Sequence, residues 1–180
     1  MQKHLLKILS IGTFKFMNGY VFAINAMKEL KDEGISFKYT IIGGDPTEEI
    51  LFSIKDLGLE GDISILDHNE LANLNDHFEN SDVLLVSYLH HESTDVVLKA
   101  MSSEMIVITT GCLGIIDIVK NGENGFVVPI MDAKAIANTL IRIDSLDDMN
   151  RELIREQAKK TVETLTTQLE VAHNNKLASR

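Results

Sequence analysis

Apolar positions in this 180-residue chain fall into two alternating patterns: short unbroken runs, and longer stretches in which they recur every three or four residues. Lys7–Ile11, Lys38–Gly43, Asp62–Leu66, Val83–Ser87, Ile106–Thr110 and Gly125–Val128 are the runs, rich in β-branched residues and bounded by Gly, Asn or Asp, and each reads as a strand. Several have no polar alternation. A strand that is apolar on both faces must be covered on both faces, which is the condition of a parallel sheet between helices.

Between the runs the period changes. Tyr20, Ala23, Ile24 and Met27 stand at i, i+3, i+4 and i+7, and Ala133, Ile136, Ala137 and Leu140 repeat the stripe, so both segments are helices with a core face. Pro46 followed by Thr47, Glu48 and Glu49 starts a further helix that runs to Leu57 and stops at Gly58, because proline is tolerated in a first turn and acidic residues there oppose the macrodipole. Strand and helix alternate through the first part of the chain, the mark of a doubly wound α/β fold: a mostly parallel, six-stranded Rossmann-like sheet flanked by helices. The expected division is a Rossmann-like unit over residues 1–145 and an appended helical tail over 146–180. That tail is charged, free of glycine and sparse in apolar residues, and its last eight or so residues are expected to fray.

Composition narrows the partners. With 44% apolar and 24% charged residues the chain builds one core. A net charge of −10 opposes binding to nucleic acid or anionic membrane, which rests on clustered Lys and Arg. Cys112 is the single cysteine, so no intrachain disulfide forms and a reducing, cytoplasmic setting is expected. The first residues carry too short an apolar run for a signal peptide. The longest apolar tract, Met105 to Val119, is broken by Thr, Gly and Asp and reads as a buried strand and turn, so no transmembrane segment is expected.

The most informative stretch is Ser87 to Pro129. It reads strand, polar loop, helix, strand, Gly-containing loop, short helix, strand, and it sets polar side chains at the carboxyl ends of parallel strands, where open α/β sheets bind ligands. Ser93, Thr94 and Asp95 stand where a helix begins, and the free N–H groups and dipole of such a terminus favour an anion. A nucleotide-type crevice is the first expectation.

Ordered signals across residues 5 to 145 sharpen it: a first strand ending at Gly12, Asn18-Gly19 opening the first helix, a second strand ending Ile41-Ile42-Gly43-Gly44, Leu57-Gly58-Leu59 with Gly61-Asp62, the strand Ser81-Asp82-Val83-Leu84-Leu85-Val86-Ser87, then Val96-Val97-Leu98-Lys99-Ala100-Met101 and the run from Ile118 to Pro129. In that order they resemble the carboxyl-terminal, nucleotide-sugar-binding half of GT-B glycosyltransferases, in particular the large retaining group called family 4. The resemblance implies a donor site at Gly12, Thr13, Lys15, Asn18, Gly43, Gly44, Ser87, Glu92, Ser93, Thr94, Lys99, Leu113 and Gly114.

It also exposes departures. The family's first turn carries Gly-Arg, and Lys-Gly precedes its first helix; the Arg and Lys bind the donor diphosphate. Here Gly12-Thr13 and Asn18-Gly19 stand instead, and Lys15 lies in the same loop in a different register. The family's second motif sets two glutamates around a loop and helix start, ending Glu-Ala-Met. This chain has Glu92-Ser93-Thr94 and then Lys99-Ala100-Met101, so the glutamate that bonds the donor ribose has become Lys99. Glu92 matches the first glutamate with one residue deleted after Thr94; without that gap His91 takes the place, and Glu92 is preferred for its local chemistry. Leu113-Gly114 occupies the family's small-residue turn, where the backbone approaches the sugar. Two lost charge-assisted contacts, at about 1.5–3 kcal/mol each, weaken donor binding by roughly a hundred- to ten-thousand-fold.

Other constellations are weaker. His90, His91 and Glu92 with Asp67 and His68 suggest a metal cluster, but adjacent histidines on an extended segment point apart, and solvated loop histidines are the preferred reading. Ser87, His91 and Asp95 lack the Gly-x-Ser-x-Gly elbow of a nucleophilic triad. Cys112 has no flanking base or cation, and Gly43-Gly44-Asp45 lacks the phosphate-loop pattern. No metal or cofactor is expected beyond the nucleotide sugar as substrate.

Two functions stand side by side. In the first the chain is the donor-binding domain of a glycosyltransferase, inactive alone and completed by an amino-terminal acceptor domain or a partner transferase. In the second it is a degenerate, non-catalytic half that binds or scaffolds a partner, which the missing Arg, Lys and second Glu support. The epimerase branch that shares the architecture is a third, weaker reading.

Overall fold

The computed structural model describes residues 5–90 and 94–178, with side chains described through residue 168. Six strands form one sheet: β1 (Leu6–Ile11), β2 (Phe37–Ile42), β3 (Ile63–Leu66), β4 (Val83–Val86), β5 (Ile106–Thr110) and β6 (Phe126–Val128). Every pairing is parallel and the order is β3-β2-β1-β4-β5-β6. Each strand lies within one residue of its expected ends. The helices are α1 (Tyr20–Asp32), α2 (Glu48–Asp56), α3 (Leu74–Glu79), α4 (Asp95–Ser102), α5 (Ile115–Ile118), α6 (Ala133–Ser145) and α7 (Asp148–Ala178).

Alternate strand residues feed two cores. On β4, Val83 and Leu85 point into a cluster with Ile24 and Met27 of α1, Ile50 of α2 and Leu140 of α6, whereas Leu84 and Val86 point into one with Phe78 of α3, Met101 of α4 and Ala158 of α7. That two-sided burial is why the strand sequences show no polar alternation. One polar chain crosses the first core: Tyr39 donates its hydroxyl to Ser10 Oγ at 2.9 Å, and Ser10 donates to Leu85 O. Desolvation holds the Tyr39 phenol far above its ordinary range, so it remains a donor.

Local chemistry sets the ends. α2 starts one turn position later than Pro46 suggested: Thr47 is the N-cap, its Oγ1 accepting from Ile50 N, and proline lies just outside. Asp132 caps α6 in the same way through Ala135 N. On the outer edge, Asn121 Oδ1 accepts the outward N–H of Val127 at 3.0 Å, which blunts β6 against pairing with another strand.

Helix α7 leaves the first core at Ile154 and enters the second at Ala158 and Val162. Arg151 fixes the corner between α6 and α7 by donating to Asp144 O and Leu146 O. Asn124, 2% exposed, donates to Thr161 Oγ1 of α7 and to Ile118 O while its Oδ1 accepts from Lys120 N, so the turn before β6 is tied to the helix. Among the described residues no helix is long and apolar enough to cross a membrane.

Leu84→Ala, at a fully buried position of the central strand, is expected to lower unfolding free energy by about 2–5 kcal/mol. Leu51→Ala, at a half-exposed position of α2, is expected to change it by under about 0.5 kcal/mol. Urea unfolding followed by circular dichroism checks both, and similar midpoints for the two would contradict the burial pattern.

Candidate functional site

Strands β1 and β4 are neighbours in space but leave the sheet in opposite directions, β1 feeding toward β2 and β4 toward β5. Their carboxyl ends therefore diverge, and the gap between the following loops is where a doubly wound sheet takes its ligand. The β1 loop runs Gly12 to Gly19 and contains a single 3-10 turn, Phe16–Asn18; the β4 loop begins at Ser87.

These two loops are joined directly. Ser87 donates Oγ to Asn18 O at 2.7 Å, Leu89 N donates to Met17 O at 2.7 Å, and Tyr88 donates its hydroxyl to Ile11 O at 3.0 Å. From α1, Tyr20 donates its hydroxyl to Gly12 O at 2.9 Å. Asn18 donates Nδ2 to Thr13 O at 2.9 Å, and its Oδ1 is buried without a hydrogen-bond partner. Gly19 sits at φ 69° with its α-carbon against the β4 loop, so that a Cβ there would lie 2.0 Å from Ser87 O. Gly43 is similar: a Cβ would lie 1.9 Å from Gly12 O, which presses the β2 turn against the β1 turn.

The residues expected to bind a donor separate into frame and rim. Asn18 and Ser87 are 1% and 2% exposed and direct their side chains at backbone, so they build the frame. Gly12 and Gly43 form the packed turns, and Gly44, at φ 89°, has open space beside it. Thr13 and Lys15 are exposed on the rim, and Lys15 has Phe14, Phe16 and Tyr20 beside it around a cavity of about 100 Å³. Thr94 is the N-cap of α4 and makes no side-chain cap bond among the described residues. Lys99 is exposed on α4 with its ammonium 5.9 Å from the centre of the Phe78 ring, so it faces α3. On the β5 side, Leu113 is 75% exposed and Gly114, at φ 89°, opens the short helix α5. Glu92 and Ser93, together with the alternative His91, lie outside the described residues.

Three side chains of the frame were not foreseen. Tyr20 was read as part of a core stripe, but its ring packs against Phe14 while its hydroxyl reaches the loop. Tyr88 and Cys112 sit on either side of the β4–β5 junction, where Thr110 Oγ1 and Cys112 Sγ both donate to Tyr88 O. The available signal was position: a tyrosine one residue past an apolar strand needs a partner for its buried hydroxyl. Among the described residues no group of His, Cys, Asp and Glu is placed to hold a metal ion.

The family described as glycosyl transferases group 1 matches residues 2–161, and the chain belongs to that family. A relative from Erwinia amylovora, the amylovoran biosynthesis glycosyltransferase AmsK, is 28% identical over 145 residues, which are 77% of this chain and 36% of that protein. The chain spans less than half the length of the curated relatives it matches. Among solved structures, the carboxyl-terminal domain of the group 1 protein LpcC from Francisella tularensis is 23% identical with a TM-score of 0.75, covering 88% of this chain and 85% of that one. HepE from Anabaena, solved in complex with UDP-glucose, is 17% identical with a TM-score of 0.81 and covers 98% of this chain and 50% of that one. The fold is that of one half of a GT-B glycosyltransferase, as the motif order implied.

Ser87→Ala leaves Asn18 O without its donor and is expected to cost about 1–3 kcal/mol. Gly19→Ala places a methyl group inside the Ser87 carbonyl contact at a positive φ and is expected to cost more than Ser87→Ala. Denaturant melts of both variants test the loop junction; wild-type stability in Gly19→Ala would refute it.

Proposed function

We propose that this chain is the donor-binding domain of a glycosyltransferase, which holds a nucleoside diphosphate sugar at the β1 and β4 loops for transfer to a glycan, lipid or protein acceptor. The observation that carries the reading is the joined pair of loops at the β1/β4 divergence in a chain whose residues 2–161 match the group 1 family. Support comes also from HepE, of similar fold and solved with UDP-glucose, and from AmsK, named for amylovoran biosynthesis. Residues 1–145 carry the donor site. The acceptor site belongs to a second Rossmann-like half, either an amino-terminal domain or a partner transferase, and transfer takes place between the two. A cytoplasmic setting accords with a single, buried, unpaired cysteine.

The residues take these roles. The backbone at Thr13 and the start of α4 face the diphosphate, Lys15 supplies the cation on the rim, and Thr94 borders the anion, with Ser93, outside the described residues, assigned there by the resemblance. Gly43 and Gly44 border the nucleotide, and Leu113-Gly114 lets backbone approach the sugar. Glu92, outside the described residues, is assigned to the donor by its match to the family's first glutamate. Lys99 is a donor only, so it does not replace a carboxylate that accepts from ribose hydroxyls. No metal takes part, because the diphosphate charge is met by N–H groups and Lys15.

One observation favours a second reading, a binding or scaffolding half that has lost turnover. Asn18 stands where the resemblance calls for a diphosphate lysine, and it is buried with its amide committed to Thr13 O. The isolated chain is therefore expected to bind uridine or guanosine diphosphate sugars weaker than about 100 μM, and calorimetric titration showing low-micromolar affinity would refute the weak-site expectation. Thr13→Arg with Asn18→Lys is expected to tighten binding at least about tenfold, and Lys15→Ala to weaken that gain. No gain in the double variant, with the fold intact by circular dichroism, would count against the donor site itself and leave the scaffold.

A further inference from the structure

A cavity lies at the other end of the sheet. Glu123 and Phe126 border it at the amino end of β6, whereas the proposed donor loops follow the carboxyl ends of the strands. Between β6, α6 and α7 opens a cavity of about 370 Å³ lined by Phe126, Arg142, Leu146, Leu153, Ile154 and Gln157. Its size falls in the range of roughly 300–1,000 Å³ seen for small-molecule sites.

The walls have a definite chemistry. The Arg142 guanidinium lies over the Phe126 ring, its carbon 5.2 Å from the ring centre. That contact holds the guanidinium beside the cavity, and its planar fork of N–H donors is suited to a carboxylate. Among the described residues Arg142 has no ion-pair partner, although the chain carries 27 Asp and Glu against 17 Lys and Arg. The Gln157 side chain likewise makes no hydrogen bond among the described residues and supplies a further donor. Leu146, Ile154 and the half-exposed Leu153 form an apolar wall.

We propose that this cavity binds a small monocarboxylate with an apolar body, its carboxylate on Arg142 and its body against Leu146, Leu153 and Ile154. Glu123 lines the same cavity, so a doubly charged phosphate or a nucleoside diphosphate meets more repulsion than a single carboxylate does. The ligand bridges α6 and α7, and it raises the melting temperature of the chain by mass action.

Benzoate and hexanoate are the probes, with benzyl alcohol as the uncharged counterpart and inorganic phosphate as the alternative anion, read by calorimetry and by thermal melting of the full chain. The expected result is saturable benzoate binding at least about tenfold tighter than benzyl alcohol, weakened about tenfold by Arg142→Gln and partly retained by Arg142→Lys. Leu153→Glu changes only a half-exposed side chain and sets a second negative charge at the mouth; it is expected to abolish benzoate binding with the melting temperature preserved, and it serves if Arg142→Gln unfolds. Equal affinity for benzyl alcohol, equal or tighter binding of phosphate, indifference of benzoate to Leu153→Glu, or no saturable binding up to about 20 mM would each overturn the proposal.

Discussion

The structure depends on one close approach, the contact of Gly19 with the carbonyl of Ser87. It brings the start of α1 against the first residue after β4, leaves no room for a side chain, and is held by the Ser87 hydroxyl on Asn18 O and the Leu89 N–H on Met17 O. Because β1 and β4 are adjacent and their chains diverge, the loops that follow them border the crevice of the sheet. Everything at the carboxyl rim takes its position from it. The Gly12 turn is set by Tyr20 and Tyr88 from either side, and the β2 turn packs on Gly12 through Gly43.

The frame and the binding chemistry of such a site rest on different forces, and this chain separates them. The frame consists of short buried hydrogen bonds to backbone, each costly to break because the partner would be left unsatisfied in the interior. The binding chemistry consists of exposed charges, whose loss costs the fold almost nothing. Thr13 and Lys99 are exposed and bear on the second alone, whereas Asn18 belongs to the first. Asn18 shows how the frame stays closed: its neutral amide is buried at 1% exposure and bonds to Thr13 O within the same loop. The fold of the family thus persists where its diphosphate cations do not.

The sheet was legible because parallel strands buried on both faces leave unbroken β-branched runs, and the residues ending those runs, Gly12, Gly43 and Gly111, cannot continue them. Stripe periodicity located α1 and α6 for the same reason. What a one-dimensional pattern does not carry is a side chain with two employments: Tyr20 counts as apolar in a stripe while its hydroxyl organises a loop, and Ser87 counts as a strand end while it bonds to a residue 69 positions away. Helix α7 is harder to place from its pattern. Its apolar residues are sparse, and beside Ile154 and Val162 the residues that dock it are small or polar: Ala158, wholly buried, and Thr161, held by Asn124. Close packing against a small residue leaves little trace in hydropathy.

The rim also explains why a single half would be chemically incomplete. The proposed donor roles fall to loops on one side of the sheet, and the same side carries Phe16 at 69% and Leu113 at 75% exposure, large apolar groups that water solvates poorly. A lone domain gains nothing from them. An opposing wall that covered them would exclude water from a bound diphosphate, and in that drier cleft backbone N–H groups and a lysine would act with greater electrostatic strength. Where a rim offers few cations, the dryness of such a cleft would matter more to binding than where it offers many.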